Sequence, residues 1–131
     1  MRVAARLKAF APEIARAVQR VVDDWEQDEE GLSEEYGAGG ICDDVAEAIL
    51  DVVQGSGLAE EVVTYHWSDD NHTAVVARMS DGVYEVDVPL DVYETGSWYR
   101  YKKRPDVQVR ADDVTVVRLG SLDEWSSYVE E

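Results

Sequence analysis

Apolar residues recur every three or four positions over the first part of the chain, which is the spacing of an amphipathic helix. The stripe consists of Val3, Leu7, Phe10, Ile14, Val18, Val21 and Trp25. Pro12 falls inside this stripe, and proline is tolerated in the first turn of a helix but not in its interior. We therefore predict a short helix, a break near Ala11, and a second helix that runs from Pro12 to about residue 27.

A second helical pattern begins at Cys42 and extends to about Gln54, with Gly55-Ser56-Gly57 as its end. Its apolar stripe consists of Cys42, Val45, Ala46, Ile49, Val52 and Val53. The glycines at positions 39 and 40 stand directly before it. The cysteine therefore occupies the first turn of the predicted helix.

Beyond residue 60 the helical period gives way to runs of β-branched and aromatic residues separated by turn clusters, which is typical of strands. The clearest predicted strands are Glu61–Trp67, His72–Met79, Val83–Val88 and Val114–Leu119. Weaker strand signals lie at Trp98–Tyr101 and Val107–Val109, and a last helix is predicted from Leu122 to about Val129. The order of elements predicts one α+β domain over residues 1–131, with N-terminal helices packed on an antiparallel sheet.

The register of the hairpin around Ser80-Asp81-Gly82 decides which side chains can meet. If a four-residue loop places Arg78 opposite Val83, paired residue numbers sum to 161 and Asp87 lies opposite Ala74. Asp87 is then on the same face as His72 and one diagonal position away, at about 7 to 8 Å between backbones. A three-residue loop would place the two side chains on opposite faces, and a two-residue Asp81-Gly82 turn would separate them by two further positions.

The net charge of −17 is unevenly distributed, because no Lys or Arg occurs from Val21 to Ala77. Such a surface repels nucleic acid and anionic membranes and attracts basic partners. It has two readings, a solvated surface or a docking surface for a basic peptide or protein. Arg2, Arg6 and Lys8 interrupt the N-terminal apolar positions, so we expect neither a signal peptide nor a membrane span, and we expect a cytoplasmic protein.

Cys42 is the single cysteine of the chain, and two readings of it are open. A lone cysteine on the apolar stripe of a helix is commonly a small buried core residue. The unpaired amides and the dipole at a helix start also favour thiolate, so the position suits a nucleophile. Two histidines and one cysteine without ligand spacing predict no metal site, and we expect no cofactor.

Three features in chain order suit nucleophilic catalysis, which needs a nucleophile, a base and a group that orients the base. They are Gly-Ile-Cys-Asp-Asp-Val-Ala around Cys42, a histidine that opens a strand at position 72, and Val-Asp-Val-Pro, whose Asp87 comes 15 residues after it. Residues 39 to 89 resemble the core of the transglutaminase-like branch of papain-fold cysteine enzymes. Two departures are Ala74, where that family commonly has an aromatic residue, and Val88, which separates Asp87 from Pro89.

The resemblance implies a papain-like fold in which Cys42 is the nucleophile, His72 the general base and then acid, and Asp87 its orienting group, with the Cys42 amide contributing to an oxyanion hole. Tyr36 is a candidate border of the cleft, and Gly39 and Gly40 would let a substrate carbonyl approach the backbone. The predicted activity is hydrolysis of an amide or peptide bond, with transfer to an amine as a variant. The competing hypothesis is a non-catalytic acidic protein on a papain-like scaffold that binds a basic partner or imitates nucleic-acid charge.

Overall fold

The computed structural model describes residues 2–25, 41–68, 72–97 and 100–129, and in the part from 96 to 102 it describes the backbone alone. The predicted residues Tyr36, Gly39 and Gly40 lie outside the described residues. None of the described helices has the length and apolar character that crossing a membrane requires.

In the described part of the chain three helices precede the strands, as the apolar pattern predicts. Helix α1 spans Val3–Lys8, α2 spans Ala11–Asp24 and α3 spans Cys42–Gly55. Pro12 lies in the first turn of α2, so the predicted break between the first two helices is confirmed. Cys42 is the first residue of α3, and the buried side of that helix is formed by Val45, Ala46, Ile49 and Val53.

Four antiparallel strands form the main sheet in the order β1-β2-β3-β6. They are β1 at Glu61–Trp67, β2 at His72–Met79, β3 at Gly82–Asp87 and β6 at Thr115–Gly120. The four-residue strands β4 at Glu94–Ser97 and β5 at Arg100–Lys103 form a separate hairpin. A short helix, α4, covers Ser126–Val129 after a 3-10 turn at Leu122–Glu124. The α+β class and the antiparallel sheet are confirmed.

The two faces of the sheet are covered by different parts of the chain. On one face α1, α2 and α3 pack against Val75, Ala77, Tyr84 and Val86 to form the main core. On the other face Val76 and Val83 pack against Trp125, with Tyr65, Trp67 and Tyr128 beside them. Because β2 is buried on both faces, its residues from Thr73 to Ala77 are all buried and the strand shows no hydrophobic–polar alternation.

The pairing of β2 with β3 has the register in which residue numbers sum to 161. Arg78 pairs with Val83 and Val75 pairs with Val86. Met79 and Gly82 also pair, so the connection is the two residues Ser80 and Asp81 instead of the predicted four. The required register is therefore confirmed, although the predicted loop length is wrong.

The segment Val107–Val109 is not a strand, contrary to its β-branched composition. The Gln19 side chain makes the hydrogen bonds that a neighbouring strand would otherwise make. Its Nε2 donates to the Val107 carbonyl oxygen at 3.1 Å, and its Oε1 accepts from the Val109 amide at 2.7 Å. These backbone groups are satisfied by a helix side chain, so the segment packs on α2 without joining a sheet.

Gly82 is a point at which the fold leaves no room for a side chain. A Cβ atom at this position would lie 2.7 Å from the Gly120 carbonyl oxygen and 2.9 Å from the Arg118 Nε atom. We expect Gly82→Ala to lower the free energy of unfolding by roughly 1 to 3 kcal/mol, because β3 and β6 must separate locally. Urea denaturation of the full chain measures this change.

Gly55→Ala is the matched control, since a Cβ at Gly55 meets nothing within 4 Å. Alanine at this last position of α3 should be neutral or stabilising by less than about 1 kcal/mol. Equal stability losses in the two variants would contradict the account of the β3–β6 contact.

Candidate active site

The start of α3 is held through the residue before the cysteine. The buried Ile41 precedes the helix, and its amide donates a hydrogen bond of 3.0 Å to the Glu94 Oε1 atom. The Ile41 carbonyl oxygen accepts the Val45 amide at 2.9 Å, which closes the first turn. Among the described residues, no side chain caps this helix in the usual way. A carboxylate from β4 therefore satisfies one of the amides at the helix start.

The residue after the cysteine is held from the sheet. The Thr73 hydroxyl donates to the Asp43 Oδ1 atom at 2.5 Å, and the His66 Nδ1 atom lies 3.0 Å from the same hydroxyl oxygen. Because the Thr73 proton points to Asp43, the His66 ring donates to Thr73. Both sequence neighbours of Cys42 are thus fixed, one by β4 and one by the residue that follows His72.

His72 and Asp87 meet at the ends of neighbouring strands. The His72 Nε2 atom lies 2.7 Å from the Asp87 Oδ2 atom, a distance typical of a charge-assisted hydrogen bond. His72 is the first residue of β2 and Asp87 the last of β3. The Thr115 hydroxyl donates to the Asp87 backbone carbonyl oxygen at 3.2 Å, so β6 helps to fix the backbone at Asp87.

The Cys42 side chain also acts on the His72 imidazole. Burial alone would lower the pKa of His72, but hydrogen bonding to Asp87 and Cys42, together with their negative charges, raises it to about 10. The His72 Nδ1 atom is buried and has no partner in hydrogen-bond geometry within the described part of the chain. The Cys42 contact is therefore close enough to act on the ring without ideal alignment, as is common for catalytic groups before substrate binds.

Cys42 is partly exposed, whereas the rest of the apolar stripe of α3 is largely buried. The side chains of His72 and Asp87 keep 16% and 10% of their surface exposed. The three groups therefore keep some exposure to solvent and are not enclosed in the hydrophobic core.

Two further polar side chains, Tyr93 and Glu94, belong to this site. Burial raises the pKa of the Tyr93 hydroxyl, and the charges of Glu94, Asp87 and Cys42 raise it further. Burial also raises the pKa of Glu94 to about 7, against the opposing effects of the Ile41 amide and of His72. Sequence reasoning missed both residues, because no periodic pattern marks the short strand β4 and Glu94 lies 53 residues from Ile41.

The charged surface near Cys42 is acidic. Asp43, Asp44 and Glu47 on the first turns of α3 are all exposed, and Glu85 is half-buried on the strand that carries Asp87. Burial and the Asp87 charge raise the pKa of Glu85, while His72 opposes them. No group of three or more His, Cys, Asp or Glu side chains within the described ranges could hold a metal ion.

A separate surface cavity of ≈ 680 Å³ opens between the turn after β3 and the segment before β6. Its lining includes Pro89, Asp91, Arg104, Gln108, Asp112 and Thr115, and it does not include Cys42, His72 or Asp87. The cavity therefore borders Thr115, which pairs with Asp87 in the sheet, but it does not contain the three candidate site residues.

Comparisons with known proteins leave this geometry to be interpreted by its chemistry alone. The chain matches no protein-family model, no curated protein and no solved structure.

Proposed function

We propose that this protein is a cysteine hydrolase that cleaves an amide or peptide bond, with Cys42 as nucleophile, His72 as general base and acid, and Asp87 as the residue that orients His72. One observation carries the proposal: the His72 Nε2 atom lies 2.7 Å from the Asp87 carboxylate, and the Cys42 thiol at the start of α3 acts on the same ring. Such an arrangement activates a thiol, because imidazolium and the helix start both favour thiolate.

The chemical step follows from the positions of these groups. The Cys42 sulfur attacks the substrate carbonyl carbon, and a C–S bond forms as the carbonyl π electrons move to oxygen. The Cys42 amide and the start of α3 are suited to stabilise the oxyanion. As the C–N bond breaks, protonated His72 gives its proton to the leaving amine, and a thioester remains.

Water completes the reaction. His72 removes a proton from water, hydroxide adds to the thioester carbonyl, and collapse of the adduct breaks the C–S bond and releases a carboxylic acid with the thiolate. Asp87 remains hydrogen-bonded to the His72 Nε2 atom and stabilises the imidazolium during both acylation and hydrolysis. An amine in place of water would give a new amide, which makes transamidation the variant of the same chemistry.

The arrangement also supports a core like that of the transglutaminase-like branch of papain-fold enzymes. The resemblance rests on a cysteine that begins a helix packed on an antiparallel sheet, a histidine that begins β2 and an aspartate that ends β3. The exposed carboxylates Asp43, Asp44 and Glu47 favour a substrate with Lys or Arg near the reacting bond, since charge complementarity raises association rates.

Asp87→Asn tests the role of the carboxylate. The amide keeps the shape but loses the charge that stabilises protonated His72, so we expect the second-order rate of Cys42 alkylation by iodoacetamide at pH 7 to fall by at least about tenfold. Asp91→Asn is the matched control, because the exposed Asp91 side chain has no contact with His72. Equal rates in wild type, Asp87→Asn and Asp91→Asn would contradict the proposed catalytic role of Asp87.

Cys42→Ala separates catalysis from the competing function of an acidic binding protein, which the net charge of −17 favours. A mixed library of Lys- and Arg-containing peptides is incubated with each variant, and mass spectrometry follows new termini. We expect cleavage by wild type and none by Cys42→Ala. Uncleaved basic peptides that bind both variants equally, with an affinity that falls steeply with salt, would support binding instead.

A further inference from the structure

We propose that Glu94 is a positioning residue of the Cys42 centre, an inference that rests on the function proposed above. It holds the first turn of α3 through the Ile41 amide, and its charge acts on His72 from the side of β4. Cys42 reactivity should therefore depend on Glu94, although Glu94 is not one of the three reacting groups.

The geometry gives Glu94 more than a capping role. Its side chain is 5% exposed, its Oε1 atom accepts the Ile41 amide at 3.0 Å, and its Oε2 atom is buried with no hydrogen-bond partner in the described part of the protein. A buried carboxylate with one hydrogen bond is destabilising, and a neutral glutamine could accept from the same amide. An ionisable group at this position costs stability that a purely structural residue would not.

Charged and titratable groups meet Glu94 from several elements. His72 acts on it from β2, and Tyr93, which precedes it, is also within the fields of Asp87 and Cys42. Lys103 lies opposite it in the backbone register of the β4–β5 hairpin. The ionised carboxylate favours protonated His72, because the attraction between the two groups is reciprocal.

The Glu94 carboxyl group gains or loses its proton near neutral pH. Burial raises its pKa to about 7, so that near neutral pH it exchanges a proton while His72, whose pKa is raised to about 10, stays charged. Above pH 7 the ionised Glu94 accepts the Ile41 amide in a charge-assisted hydrogen bond, which holds the start of α3 more firmly than the bond to neutral Glu94 does. The reactivity of Cys42 should then rise as the pH increases through about 7.

The test compares alkylation of Cys42 by iodoacetamide from pH 5 to pH 9 in the full chain of wild type, Glu94→Gln and Glu94→Ala. In Glu94→Gln we expect the rise near pH 7 to disappear, because the amide can hold Ile41 but carries no charge. In Glu94→Ala we expect rates about tenfold lower at every pH, because the start of α3 is released. Asp51→Asn, an exposed change on the same helix, is the matched control and should follow wild type.

A stability measurement separates the charge from misfolding. The folded-state pKa of Glu94 is raised from 4.5 to about 7, so the folded state binds the proton more tightly than the unfolded state and wild type loses stability as the pH rises between these values. Glu94→Gln removes this loss, and its gain over wild type in urea denaturation should grow from pH 4.5 to pH 7.5. Asp51→Asn should show no such growth.

The inference is overturned if Glu94→Gln keeps the wild-type rise in alkylation near pH 7, or if Glu94→Ala reacts as fast as wild type. Asp87→Asn, measured in the same series, keeps the two proposals apart. If Asp87→Asn loses fast alkylation while both Glu94 variants behave as wild type, the Glu94 role fails and the hydrolase proposal stands. If Asp87→Asn reacts like wild type, the hydrolase proposal fails whatever the Glu94 variants show.

Discussion

The antiparallel pairing of β2 with β3 is the constraint on which the candidate site depends. Successive side chains of a strand point to opposite faces, so a shift of one residue would turn Asp87 away from His72. The pairing of Met79 with Gly82 at the turn sets the observed register. Gly82 in turn lies so close to the Gly120 carbonyl oxygen that a side chain would collide with it. The Met79–Gly82 pairing at the turn of the hairpin is thus in register with the His72–Asp87 hydrogen bond at its other end.

The position of the cysteine depends on contacts from outside its own helix. Ile41 is held by Glu94 and Asp43 by Thr73, so β4 and β2 fix the two sequence neighbours of Cys42. Thr73 adjoins His72, which means that the contact orienting the helix start comes from the strand that carries His72. Burial raises the pKa of the Glu94 carboxyl group, whereas the pKa of His72 is raised against the effect of burial by Asp87 and Cys42.

The sequence predicts much of this arrangement, because local signals mark the elements that carry it. Pro12 locates the break between α1 and α2, the apolar stripe locates α3, and the turn cluster around Asp81 locates the hairpin. The approach of His72 to Asp87 follows from counting residues once the register is assumed. The loop length assumed with that register was wrong. Met79 and Gly82 also pair, so the same register is reached with two unpaired residues instead of four.

The features that escaped prediction arise from tertiary contacts. Glu94 lies on a four-residue strand with no periodic pattern, and its partner Ile41 is remote in sequence. The strand-like Val107–Val109 is held instead by the Gln19 side chain, an interaction that composition cannot reveal. Thr73 resembles any other strand residue until the helix that it contacts is placed beside it.

The measurement that tests the central claim most directly is an NMR pH titration of the His72 ring, with resonances assigned by comparison with His72→Gln. An imidazole held between Asp87 and Cys42 should remain protonated through neutral pH and titrate near pH 10. A His72 ring that loses its proton at or below its ordinary pKa of 6.5 would show that the carboxylate and the thiol do not act on it, and would contradict the account.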